Sequence, residues 1–161
     1  GKPCTYKIFD LDISVNAGNA MYYLPLLPLM AQGAKLSAEM QRDVYEVYVQ
    51  EMINLSMGQA MDIAWHKGIA NADALAEEDY LQMCAYKTGT LARMAAKMAA
   101  VLSGAEPKLV EKLGRFAESI GVAFQMQDDI LDLTGLDQVI CRHYPSGIAN
   151  RVERAAHPIV S

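Results

Sequence analysis

Phe124-Gln125-Met126-Gln127-Asp128-Asp129-Ile130-Leu131-Asp132 places three carboxylates within five residues. The stretch sits inside a segment punctuated as one long helix, from Pro107, a favourable first-turn residue, to about Thr134, just before Gly135. A mostly apolar helix does not accept three like charges freely: two carboxylates ~4 Å apart repel by roughly 4 kcal/mol at an effective dielectric of about 20. Solvent, a basic partner or a divalent cation would relieve the repulsion. The pattern alone is unexceptional in a chain with 19 acidic residues among 161, so the rest of the sequence has to choose.

Three further helices read outward from this one. The first runs roughly from Ile13 to Ala31, with Pro25 and Pro28 kinking or breaking its second half. The second runs from about Ser37, an N-cap residue, to Lys67, with Gly68 as its stop. The third runs from Glu77 to Leu102, its acidic start Glu77-Glu78-Asp79 suited to a helix N-terminus and Gly104 just past its end. No strand run or repeat stands out, and long helices joined by short loops specify an all-α bundle.

On the second helix the apolar stripe Val44, Val47 or Tyr48, Met52, Leu55 continues at the same spacing into Gln59, Asp62 and His66. On the last helix Leu113, Ala117, Ile120 and Phe124 continue into Asp128 and Asp132. Gln125, Asp128, Asp129 and Asp132 share one face at i, i+3, i+4 and i+7. On the third, Cys84, Lys87, Leu91 and Met98 form a line with Thr88 beside it. Three helices are thus expected to bring polar groups to the bundle interior, where metal and ligand sites of bundles are built.

Composition bounds the chemistry. With 52% hydrophobic and 20% charged residues the chain is globular, and 161 residues suffice for one domain. A net charge of −5 disfavours nucleic acid and anionic membrane surfaces. Cys4, Cys84 and Cys141 form no zinc or disulfide pattern, which with no leader segment leads to the expectation of a cytoplasmic protein with reduced thiols. The most apolar run, Ala20 to Ala31, is too short and too proline-broken to span a bilayer. Carboxylate and amide oxygens are hard ligands suited to magnesium, which usually completes its shell with substrate phosphate oxygens. Carboxylates facing a lysine and a threonine therefore describe a metal–diphosphate clamp. The 10 methionines would suit a hydrocarbon tail, although methionine in helices is more often core filler.

Together these elements resemble the trans-isoprenyl diphosphate synthases, the polyprenyl synthetases that include farnesyl and geranylgeranyl diphosphate synthases. Phe124 to Asp132 looks like that family's second aspartate-rich motif, Tyr86-Lys87-Thr88-Gly89-Thr90-Leu91 like its lysine-threonine element, and Gly58-Gln59-Ala60-Met61-Asp62 like its glycine-glutamine element. Gly1-Lys2-Pro3 and Asn16-Ala17-Gly18-Asn19-Ala20 resemble the stretch after the family's first aspartate-rich helix, and the order and spacing agree over residues 1–135. The resemblance implies an isoprenoid-synthase-type helical bundle, here partial, around a central metal and diphosphate cavity. It implies that Asp128, Asp129 and Asp132 bind Mg2+ bridging an allylic diphosphate and that Lys87 contacts the diphosphate. It places Thr88 and Gln125 beside the reacting groups, and Gln59, Asp62 and Phe124 along the same cavity. The implied reaction joins an allylic prenyl diphosphate to isopentenyl diphosphate, lengthening it by five carbons, in a homodimer.

Two departures accompany the resemblance. The first aspartate-rich motif and the arginine pair after it have no counterpart, so the chain looks like the middle of a synthase. Residues 136–161 contain no lysine and do not match the family's lysine-glycine-aspartate element, so they are read as a divergent tail. Absent partners for the helices lead to the expectation of exposed apolar surface. A non-catalytic helical partner is the alternative reading, and a class I terpene cyclase a weaker one, since the Gln125-to-Asp132 pattern and the Lys87-Thr88 pair favour the synthase.

Overall fold

A computed structural model describes residues 3–69 and 74–134; the side chains of 132–134 and the tail 135–161 lie outside the described residues. The described chain is all-α, with no strand among its described residues. In order come α1 (Thr5–Phe9), α2 (Leu11–Met21), α3 (Leu26–Gln32), a 3-10 turn (Gly33–Lys35), α4 (Ala38–His66), α5 (Glu77–Cys84), a π turn (Ala85–Gly89), α6 (Thr90–Leu102) and α7 (Pro107–Thr134). The expected first helix is interrupted ahead of Pro25 and resolves into α2 and α3, preceded by the short α1, which the sequence reading did not anticipate.

The chain divides into two compact units, residues 1–42 and 43–161. In the first, Asp10 at φ 66° makes the corner between α1 and α2, and its carbonyl accepts the Ser14 N–H and hydroxyl. The start of α4 is capped by the Ser37 hydroxyl, which accepts the Met40 N–H at 3.1 Å. Gln41 Nε2 ties back to the carbonyls of Gly33 and Leu36.

In the second unit, helix ends follow the sequence signals. Gly68 and Gly104 adopt φ of 68° and 73°, and the next residues, Ile69 and Ala105, donate back to Ala64 and Ala100, closing α4 and α6 with Schellman turns. Asp79 accepts the Ala76 N–H at 3.0 Å where α5 begins. The apolar core is small: Val44 and Tyr48 from α4, Met83 and Cys84 from α5, Ala100 from α6 and Val110 from α7.

Helix approach is set by glycines. A Cβ on Gly58 would lie 2.4 Å from the Lys87 nitrogen and 2.6 Å from the Tyr86 carbonyl carbon; one on Gly121 would lie 2.7 Å from the Gly89 Cα. The π turn is therefore held between backbone of α4 and backbone of α7. This corrects the expected core line of α7. Its buried face is Val110, Gly114, Gly121, Gln125 and Asp129, because small residues admit the neighbouring backbone. Of the expected line, Leu113, Ile120 and Phe124 are instead 39%, 54% and 62% exposed and Ala117 is half-buried. On α4 the buried line is Val44, Tyr48, Glu51, Gly58 and Asp62, one position away from the expected Met52 and Gln59, so Gln59 and His66 are exposed. The π turn adds a residue to one helical turn and shifts the line after it, so Thr90 is buried and Leu91 is 48% exposed.

Gly58→Ala is expected to destabilise the chain by about 1–3 kcal/mol through overpacking against the π turn. Gly18→Ala meets nothing within 4 Å and gains helix propensity of up to ~1 kcal/mol. Urea unfolding of the two variants checks the contrast; equal effects would contradict the clamp.

Candidate functional site

The π turn presents two successive side chains to two different partners. Lys87 Nζ donates to Asp62 Oδ2 of α4 at 2.8 Å, with the two side chains 22% and 13% exposed. The other oxygen, Asp62 Oδ1, is buried and accepts no hydrogen bond from the described residues. Thr88 Oγ1 donates to Gln125 Oε1 of α7 at 2.5 Å. Because that oxygen accepts, the amide's Nε2 is free to donate, and it does so to Asp129 Oδ1 at 3.1 Å. Tyr80 of α5 donates its hydroxyl to Asp129 Oδ2 at 2.6 Å. One hydrogen-bonded line thus runs from the π turn through α7 to α5.

Burial raises the Tyr80 phenol well above its ordinary value of 10, and Asp129, as acceptor and as negative charge, pushes the same way. The proton of this bond therefore stays on Tyr80. Burial also raises the Cys84 thiol, to about 11, so Cys84 is a neutral packing group and not a nucleophile.

Beneath the line lies a second polar cluster. Arg93 Nε and Nη2 donate to the two Glu51 oxygens at 2.7 and 2.6 Å, and Nη1 pairs with Glu118. Thr90 and Asn54 also donate to Glu51 Oε2. Burial alone would raise the Glu51 pKa; the hydrogen bonds from Arg93 and Asn54 outweigh it and hold the carboxyl below 4.5.

Of the residues singled out in the sequence, Asp62, Lys87, Thr88, Gln125 and Asp129 are assembled here. Gln59, Phe124 and Asp128 are exposed, and the Asp132 side chain lies outside the described residues. Among the described residues no three metal-ligating side chains are gathered. The donor chemistry of the motif nevertheless fits a hard cation: each carboxylate oxygen has two lone pairs, so Asp129 keeps acceptor capacity beyond its two hydrogen bonds. The sequence reading missed Tyr80, although it sits four residues before Cys84 on the same helix line, and missed the Glu51–Arg93 pair, whose signal was a glutamate three residues past Tyr48 on a core-facing stripe.

Comparison with known proteins gives a consistent result. The family model described as Polyprenyl synthetase matches residues 1–146. The chain is 32% identical over 134 residues to the geranylfarnesyl diphosphate synthase of Natronomonas pharaonis, covering 83% of this chain and 38% of that protein. It is 26% identical over 149 residues to the short chain isoprenyl diphosphate synthase of Methanothermobacter thermautotrophicus, covering 92% and 44%. The crystal structure of a geranylgeranyl pyrophosphate synthetase from Pyrococcus horikoshii superposes with a TM-score of 0.65 at 27% identity, over 82% of this chain and 38% of that one. The chain thus spans less than half the length of these relatives.

Glu51 is ionised and paired in the folded chain, so its contribution to stability is complete above its unfolded value of 4.5 and is lost as pH falls through the lower folded value. Breaking the buried pair with Glu51→Gln is expected to cost roughly 3–5 kcal/mol at neutral pH. That gap should narrow below pH 4.5, as read from urea unfolding at several pH values.

Proposed function

The chain belongs to the polyprenyl synthetase family, and from that premise we propose that it serves isoprenoid chain elongation, binding an allylic prenyl diphosphate for condensation with isopentenyl diphosphate. The observation that carries the reading is the convergence of Lys87 and Thr88, from one π turn, on Asp62 and on the Gln125–Asp129 face of the aspartate motif. A half-buried lysine at the edge of a carboxylate motif suits a leaving diphosphate.

In this reading Lys87 leaves Asp62 to meet diphosphate oxygens and returns after product release. Thr88 and Gln125 hold each other in one orientation beside the reacting carbons, and Gln59, Asp62 and Phe124 line the allylic chain's path. Mg2+, when bound, would be held by Asp128, Asp129 and Asp132 and would supply charge neutralisation for the departing diphosphate. The reaction is ionisation to an allylic carbocation, attack by the isopentenyl double bond and loss of a proton. A homodimer belongs to the same proposal. Val49, Ile53 and Met57, exposed at i, i+4 and i+8 on α4, support it as an apolar contact line. A cytoplasmic location is proposed with it. As to membranes, no helix among the described residues is long and apolar enough to cross one.

The test supplies Mg2+, isopentenyl diphosphate and dimethylallyl, geranyl or farnesyl diphosphate to the chain. A lengthened product that vanishes in Asp128→Ala is the expected result. A folded chain that binds without elongating would favour the non-catalytic partner. Lys87→Ala should weaken prenyl diphosphate binding by about tenfold or more, ~1.4 kcal/mol, with the fold retained. Asp128→Ala combined with Asp132→Ala should abolish the Mg2+-dependent part of binding; unchanged affinity in a titration would sink the assignment.

A further inference from the structure

Tyr80 lies on α5, 49 residues away in sequence from the carboxylate to which it donates. It has no role in the chemistry proposed above. Asp129 is only 3% exposed, whereas its neighbour Asp128 is exposed on the same helix. Tyr80 and Gln125 each take one of the two Asp129 oxygens, and Thr88 takes the carbonyl oxygen of Gln125. A carboxylate rotates about its last bond unless both oxygens are held from different directions. Here one restraint comes from α5 and the other from α7 itself. Removing the first leaves the Gln125 bond, which is anchored through Thr88 to the π turn but no longer registers Asp129 against α5.

The geometry points to Tyr80 as a positioning residue: its hydroxyl fixes the Asp129 carboxylate and, through Gln125, the rotamer of Thr88 on the π turn. Two consequences follow from the connectivity. The Gln125 amide orientation is inherited from both ends of the line, since Thr88 must find an acceptor and Asp129 a donor. The two aspartates also differ in setting: Asp128 is exposed, while the buried Asp129 additionally registers α7 against α5. This rests on the family reading for its consequence toward magnesium, but not for the hydrogen-bonded line itself.

The experiment is Tyr80→Phe in the full chain, which keeps the ring and its packing and removes only the hydroxyl. The first readout needs no ligand: hydrogen exchange of the Gln125 side-chain amide, followed by NMR. It is expected to speed up about tenfold, while backbone amides of the Val110–Gly114 turn, at the far end of α7, keep their wild-type rates. The second is the Mg2+ concentration that half-saturates binding of farnesyl diphosphate, expected to rise several-fold while affinity at saturating Mg2+ stays within about twofold. A variant whose Gln125 exchange matches wild type overturns the proposal. So does one in which the whole of α7 speeds up in parallel, since that is general destabilisation. If wild type itself fails to bind farnesyl diphosphate, the proposed function fails, and the Gln125 amide still decides the role of Tyr80.

Discussion

The second unit depends on one steric constraint: the π turn Ala85–Gly89 is gripped by backbone on two sides. Gly58 of α4 and Gly121 of α7 approach it so closely that a Cβ at either position would fall within 2.7 Å of its backbone. A π turn in isolation is poorer than an α-helical turn and is rarely kept without a reason. Here its return is geometric. It widens one turn enough to send Lys87 toward α4 and Thr88 toward α7, which consecutive residues of a straight helix do less readily.

Polar groups lie where the helices meet. The Glu51–Arg93–Glu118 cluster and the Lys87–Asp62 pair put charged side chains at contacts between α4, the π turn, α6 and α7. Burying charge costs several kcal/mol per ion unless partners satisfy it. Among the described residues the buried side-chain nitrogens and oxygens are hydrogen-bonded apart from Asp62 Oδ1, whose other oxygen pairs with Lys87.

Apolar residues, conversely, lie outside. Phe116, Ile120 and Phe124 on α7 and Val49, Ile53 and Met57 on α4 are each at least half exposed. Surface of this composition in contiguous lines is what packs against further protein.

The sequence by itself determined the outer ends of the long helices of the second unit, though not α1 or the position of the break between α2 and α3. Ser37, Gly68, Gly104 and Pro107 act within a few residues of where they stand, so caps and stops were legible without a fold. It also determined the polar residues of the site, because Asp62, Lys87, Thr88, Gln125 and Asp129 are chemically out of place on apolar helices. Only the tertiary structure decided which face of each helix is inward. Periodicity assigned the inside to Leu113, Ile120 and Phe124, while packing assigned it to Gly114 and Gly121, because close helix contact selects for small size and not for hydrophobicity. The π turn, which breaks the 3.6-residue period, and the Tyr80–Asp129 bond, which joins positions 49 residues apart, carry no local signal. Both exist because two other helices hold the chain in place.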